Sequence, residues 1–384
     1  MKTIKTLMGM SKPRCLKASL LIMTLLLVSL MLAACMSRDT GIKLPQEGDP
    51  GTITVVDCMG RTVTVPENPT WVAPIFAPSS HLVAMLGDSE KIVAVATGNM
   101  RDTLFLEIYP FIKNARTPKG GGDTGVNVEE LFSSPVPEII FCDSAMLLDT
   151  KMVERIEKFG IPLVAITFRS VEEQKYAIHL VGEIMGREEK AQAFCDYYDE
   201  VLEYAEERTS DIKEEDKKAV YHSINELLRA EATNSLPGEW MPRIGIKMVG
   251  AAEVDEASDS KNRISLEQFL EYDPSFIIIN GEDVYDYIQL SERLHVLTAY
   301  KTNNIYLLPY GITRFAHTYS LETPLAILWV AKTVYPERFT DLDMNVEIKK
   351  FYKQFFDTEL NDEEVEQILS GRGLRTVKSR ETPL

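Results

Sequence analysis

The sequence predicts an α/β protein of two lobes with mostly parallel sheets, joined by one long α-helix. Three observations carry that prediction. Short apolar runs alternate with amphipathic helical segments over most of the 384 residues, the pattern of parallel strands covered by crossover helices. Arg187 to Arg208 reads as one unbroken helix, with Ala191, Phe194, Cys195, Tyr198, Val201, Leu202 and Ala205 recurring at three- and four-residue spacing and neither Gly nor Pro among them. At 1.5 Å per residue it would span about 33 Å, the length of a small domain. Finally, one unit recurs on both sides of that helix. Asn127-Val128-Glu129-Glu130-Leu131 followed by Pro137-Glu138-Ile139-Ile140-Phe141 matches Ser265-Leu266-Glu267-Gln268-Phe269 followed by Pro274-Ser275-Phe276-Ile277-Ile278, with a gap of one residue. Periodicity alone fits an ordinary surface helix equally well; the flanking repeat favours a bridge.

A composition of 45% hydrophobic and 26% charged residues is that of a globular chain, and its length accommodates two domains or lobes. The N-terminus is set apart first. Lys2, Lys5, Lys12, Arg14 and Lys17 precede an apolar run from Ala18 to Ala34 that meets Cys35, the order of a basic region, a hydrophobic region and a small-residue cleavage site. Leu32-Ala33-Ala34-Cys35 resembles the lipobox of bacterial lipoproteins, which implies cleavage before Cys35 and its lipidation; an uncut signal anchor is the alternative. Two acyl chains suffice for stable anchoring, so the mature protein is expected on the extracytoplasmic face of the cell membrane. Without residues 1–34, 36 Lys and Arg stand against 58 Asp and Glu, a net charge of −22 that repels nucleic acid and anionic lipid. Of the cysteines, Cys58, Cys142 and Cys195 then remain, an odd and widely spaced set that reads as buried free thiols and not as a disulfide framework or metal cluster.

The rest of the chain follows in order. Residues 35–51 read as a flexible tether, and two alternating runs, Thr52 to Val56 and Arg61 to Val65, form a hairpin around DCMG. A first lobe over 52–170 contains a strand near Trp71 to Phe76, a helix from His81 to Leu86, strands at Lys91 to Ala96, Glu138 to Cys142 and Ile161 to Phe168, and a polar stretch from Asn99 to Thr124. A helical connector covers 171–213, with Val171 to Met185 ended by Gly186 before the long helix. A second lobe over 214–340 has strands at Lys218 to Ile224, Phe276 to Asn280 and Asn304 to Leu308, an irregular segment to Arg263 and a helix from Thr323 to Val334. Two short helices and a loose tail occupy 341–384.

Taken together, the lipobox, the hairpin DCMGRTVTVPENP, the two Glu-bearing units, the helix REEKAQAFCDYYDEV and the closing run LAILWVAKTVYPERF resemble one family. They are similar to the substrate-binding proteins of ABC importers for ferric siderophores, haem and vitamin B12, over about Thr52 to Phe339. The resemblance implies a ligand cleft between the lobes, little closure on binding, and delivery to a permease dimer with its ATPase. It implies a monomer that binds a metal chelate, an iron-siderophore first and haem or cobalamin after it, with no resident cofactor and no enzymatic activity. It also assigns Glu129 and Glu267 to docking in basic pockets of the permease, where two carboxylates set orientation more than affinity; the alternative is an acidic residue favoured in a helix's first turn.

Because open α/β sheets bind ligands at the carboxyl ends of their strands, the candidate ligand residues lie in the loops there. They are Ser79 in Pro78-Ser79-Ser80-His81, Arg101 in Asn99-Met100-Arg101, the end of the Cys142 strand, Trp240 and Arg243 in Trp240-Met241-Pro242-Arg243, and Arg314, His317 and Tyr319 in the stretch from Tyr310 to Tyr319. Guanidinium groups suit carboxylate, catecholate or phosphate oxygens, and aromatic faces suit flat apolar parts. Packing roles are the alternative for each, and His317 or Tyr319 would alternatively ligate a haem iron or cobalt. Histidines at 81, 179, 222, 295 and 317 form no evident ligand set for a bare metal ion. The rival class is an enzyme of the chelatase or metal-cluster type on the same architecture. No G-x-S-x-G, phosphate loop or H-E-x-x-H supports it, and GGGDTG is a lone glycine-rich run.

Overall fold

Short runs of Val, Ile and Leu bounded by Pro, Gly and Asp form the strands, as β-branched residues fit a pleated, buried surface. The structure is a computed structural model that describes residues 51–118, 125–254 and 262–373. Residues 1–34, the tether to Asp49 and Pro50, Cys35, most of GGGDTG and the tail after Gly373 lie outside the described residues. Strands β1 (Thr52–Val56) and β2 (Thr62–Pro66) pair antiparallel with Thr54 opposite Thr64. Asp57, 1% exposed, holds the hairpin's tip and docks it. Its carboxylate accepts from the Met59 and Arg61 amides, from the Arg61 guanidinium and, at 3.1 Å, from the amide of Ala165.

The first lobe is built on a parallel sheet in the order β3 (Val72–Pro74), β4 (Ile139–Cys142), β5 (Leu163–Ala165). The expected strand at Lys91 to Ala96 is an extended edge with single bridges only: Val93 N bonds Val72 O at 2.9 Å and Val95 N bonds Arg116 O at 2.8 Å. The helix expected from His81 begins earlier and spans Ala77–Met85, because Pro78 is tolerated in a helix's first turn. The polar stretch after Asn99 is folded too, with a helix Thr103–Ile108 anchored by buried Leu104 and Phe105. In the second lobe the order is β7 (Ile246–Met248), β6 (Lys218–Ser223), β8 (Phe276–Ile279), β9 (Ile305–Leu307), all parallel. Its irregular segment contains β7 and a helix Leu236–Arg243, which Pro242 hides from a sequence reading.

The repeated unit is real in three dimensions. Asn127 caps the helix Val128–Leu131 by accepting from Glu130 N, Ser265 caps Leu266–Tyr272 by accepting from Gln268 N, each at 3.1 Å, and each helix leads into the strand β4 or β8.

One long helix joins the lobes. Ser170 caps Val171–Met185, Gly186 ends it at φ +63°, and the spine helix Glu188–Thr209 follows. All seven residues of the apolar stripe are buried, joined by Tyr197 and Thr209. The two helices approach so closely that a Cβ at Gly182 would lie 2.6 Å from that of Ala191. On its other side the spine packs on the helix Met344–Phe356, with the Phe194 and Tyr197 rings 5.0 and 5.2 Å from that of Phe355. Near its C-terminus, Arg208 bonds Asp341 and the Arg338 carbonyl. A single apolar core therefore runs from Val72 and Phe141 through Phe194 and Tyr198 to Val220 and Ile278, and smaller cores cover the outer face of each sheet. Cys58, Cys142 and Cys195 are free thiols, the last two buried and each pushed up by burial to about 12.

Candidate binding site

Segments that follow the carboxyl ends of β5, β6, β7, β8 and β9 converge between the lobes. They enclose an inner cavity of ≈ 280 Å³ bordered by Arg169, Asn225, Arg229, Glu231, Asn280, His317 and Tyr319. A more open space of ≈ 870 Å³ adjoins it, sharing Arg169, Asn234, Ser235 and Val254 and adding Glu173, Glu239 and Glu253. This is the strand-end position at which open α/β sheets take ligands. The lobes also touch here. The Tyr319 ring meets that of Phe76 edge-on at 5.3 Å, Gln174 Nε2 donates to Ser320 O at 2.8 Å, and Val171 N donates to the Glu239 carboxylate at 3.3 Å.

Arg169 crosses from the first lobe, held by Glu173 through Nε and Nη2 at 3.0 and 2.9 Å. Burial alone would raise the Glu173 carboxyl, but the guanidinium and backbone amide of Arg169 and the Thr167 hydroxyl outweigh it and hold the group below its ordinary value. From the second lobe comes Arg229, half-buried. The loop bearing His317 and Tyr319 is anchored from beneath by Glu322, 1% exposed. The Glu322 carboxylate accepts from Ile312 N at 3.1 Å, Thr313 N at 2.7 Å, Thr313 Oγ1 at 3.0 Å and the Tyr352 hydroxyl. Gly311 is required at this point, because a Cβ would lie 1.9 Å from Glu322 Oε1. Burial raises the Glu322 carboxyl, with those four donors working against it.

The residues picked from sequence fall into different places. His317 and Tyr319 border the inner cavity, with Tyr319 N donating to His317 Nδ1 at 3.4 Å. Arg314, in the same loop, turns to the C-terminal segment, where Nη1 donates to Leu308 O and Gly371 O at 3.2 and 3.0 Å. Trp240 was expected at the ligand but is fully buried in the core, because position 240 faces inward with Leu236 and Met241. Arg243, one turn further along that helix, is held between Glu206 of the spine at 2.5 Å and Glu239 at 3.0 Å. Ser79 is buried and donates to Phe76 O at 2.6 Å, and Arg101 is exposed; neither borders the two spaces. Glu129 and Glu267 are both exposed at the second position of their helices; Glu129 lies 3.6 Å from Arg155. Sequence reasoning missed Arg169, Arg229, Glu231 and Asn280. All four follow strand ends, as His317 does, but none sits in a run of ligand-type side chains like that from Tyr310 to Tyr319.

The family described as periplasmic binding protein matches residues 72–310, more than half of the chain. The chain belongs to the periplasmic binding protein family. It is a substrate-binding protein of the ABC importer type, which acts outside the cytoplasm and works with a permease and an ATPase. Among curated relatives, the molybdate-binding protein MolA of Haemophilus influenzae is 22% identical over 329 residues, 79% of this chain and 91% of that protein. An uncharacterized ABC transporter substrate-binding lipoprotein of Bacillus subtilis, YvrC, is 24% identical over 52% of this chain and 62% of its own length. A periplasmic solute binding protein from Veillonella parvula superposes with a TM-score of 0.71 at 24% identity, covering 84% of this chain and 98% of that one. No helix among the described residues is long and apolar enough to cross a membrane.

Proposed function

We propose that this periplasmic binding protein captures an anionic, oxygen-rich metal complex and passes it to its permease. The observation that carries the reading is the inner cavity, where Arg169 and Arg229 converge from opposite lobes with His317 and the carboxamides of Asn225 and Asn280. Guanidinium and amide donors match anionic oxygens, and few other ligand groups use so many donors at once. A ferric siderophore or a metal oxyanion satisfies that set, and the name of MolA, which binds molybdate, supports it. Haem and cobalamin fit less well, since Tyr319 is the one aromatic face besides the His317 imidazole among the bordering residues. The protein acts by binding and release as a monomer, without turnover or a resident cofactor.

The soluble form begun at Ser37 is to be titrated with molybdate, a ferric siderophore, haem and cobalamin, following heat and Trp fluorescence. Tight binding of one of the anions, weakened at least about tenfold by Arg229→Ala, supports the reading. Binding of haem or cobalamin alone would replace it.

In the same proposal Cys35 carries the lipid anchor, and Glu129 and Glu267 dock to the permease from the two lobes. The exposure of both carboxylates, on equivalent helices on either side of the spine, supports that role. A double Ala variant should bind ligand as the native protein does and abolish uptake by cells. Undiminished uptake would remove the docking role.

A further inference from the structure

Glu231 is 3% exposed and borders the inner cavity. Its backbone is fixed on both sides, with Glu231 N donating to His222 O and Asn262 Nδ2 donating to Glu231 O, each at 2.9 Å. Oε1 accepts from Ala232 N at 2.9 Å. Among the described residues Oε2 has no well-aligned hydrogen-bond partner: the neighbouring Ser235 hydroxyl donates to Ala232 O at 2.8 Å, and Nδ1 of His222, a residue 2% exposed whose two ring nitrogens are likewise without well-aligned partners there, lies 3.4 Å away. The other charged or titratable groups around Glu231 are Arg229 on its own segment, His317 on the loop after β9 and Arg169 from the first lobe.

An ionised carboxylate in this position opposes an anion entering the cavity, whereas a carboxylic acid offers it an O–H donor. Buried polar atoms left without partners are rare and call for an explanation. We propose, resting on the anion-capture reading above, that Glu231 is the specificity residue of the cavity: its carboxyl takes one proton from solvent and donates it to an anionic ligand oxygen. Ligand capture is then coupled to proton uptake, and loss of that proton favours release. The neutral imidazole of His222, 3.4 Å from the Glu231 carboxyl, offers no competing charge.

The electrostatics agree with this geometry. Burial pushes the Glu231 carboxyl up to about 7, and burial with the nearby His317 pushes His222 down to about 3. Near neutral pH it is therefore Glu231, and not His222, that exchanges a proton with solvent.

The test is calorimetric titration of native protein and Glu231→Gln with molybdate and with a ferric siderophore, at pH of about 6 and about 8.5. If only the protonated form binds, native affinity falls roughly 30-fold between those values. Glu231→Gln keeps a donor at all pH values, so at the higher pH it should bind more tightly than native protein, within about threefold of native affinity at the lower pH. A misfolded variant cannot mimic that gain. Native binding that is equal at both pH values, or a fall that persists in Glu231→Gln and so belongs to another group such as His317, overturns this inference alone. Absence of binding by either anion at both pH values overturns it together with the anion-capture reading.

Discussion

At the scale of single residues, His222 and Glu231 impose opposite slopes on stability. The unfolded chain binds a proton at His222 that the folded chain refuses. The contribution of His222 is therefore fully present above its ordinary value of 6.5 and is lost as pH falls toward about 3. Glu231 behaves in the reverse sense. Its contribution is complete below the ordinary 4.5 and is lost as pH rises through about 7. Between about 4.5 and 6.5 the two slopes offset each other. Thermal melting across pH should show His222→Asn with a shallower acid limb than native protein. An unchanged acid limb would assign that limb to the surface carboxylates. Glu322 makes a different residue-scale prediction. Glu322→Ala leaves two loop amides and a buried tyrosine hydroxyl without their acceptor, so urea unfolding should show a loss on the order of 3 kcal/mol, against about 1 kcal/mol for Tyr352→Phe.

At the scale of elements, the closest packing in the connector is between Val171–Met185 and the spine. Gly182 permits it, since a side chain there meets the Ala191 Cβ at 2.6 Å. Gly182→Val should therefore lower stability by about 2 kcal/mol, overpacking outweighing any gain in backbone entropy. Adding Ala191→Gly should recover part of the loss, a non-additivity that a double-mutant cycle in urea measures. Additive effects would place the strain elsewhere. The spine itself was readable in advance because its apolar stripe repeats locally. So was the pair of capped helices bearing Glu129 and Glu267, whose Asn and Ser caps are sequence signals in their own right. The helix Leu236–Arg243 was not, because an internal Pro242 and an early Gly238 oppose helix propensity and only tertiary packing overrides them.

At the scale of the whole molecule, one apolar core continues from the first sheet through the spine to the second. Rotating the lobes apart would open that core as well as bend a 22-residue helix. Small-angle scattering of the soluble form with and without a bound ligand should therefore give closely similar radii of gyration. A marked contraction on binding, of the kind seen when lobes close about a hinge, would refute a rigid spine.

The sequence by itself determined the alternation of strands and helices, the spine with its buried stripe, the repeated Glu-helix-strand unit and the family. These are written in spacing, caps and order, which are local properties of a chain. The tertiary structure decided which strand-end side chains face the cleft. Trp240 went to the core and Arg243 and Arg314 to other partners, while Arg169, Arg229 and Glu231 came to the cavity from residues far apart in sequence. The direction of a loop side chain depends on what packs beneath its backbone, as Glu322 does for His317 and Tyr319, and no periodicity in the chain encodes that.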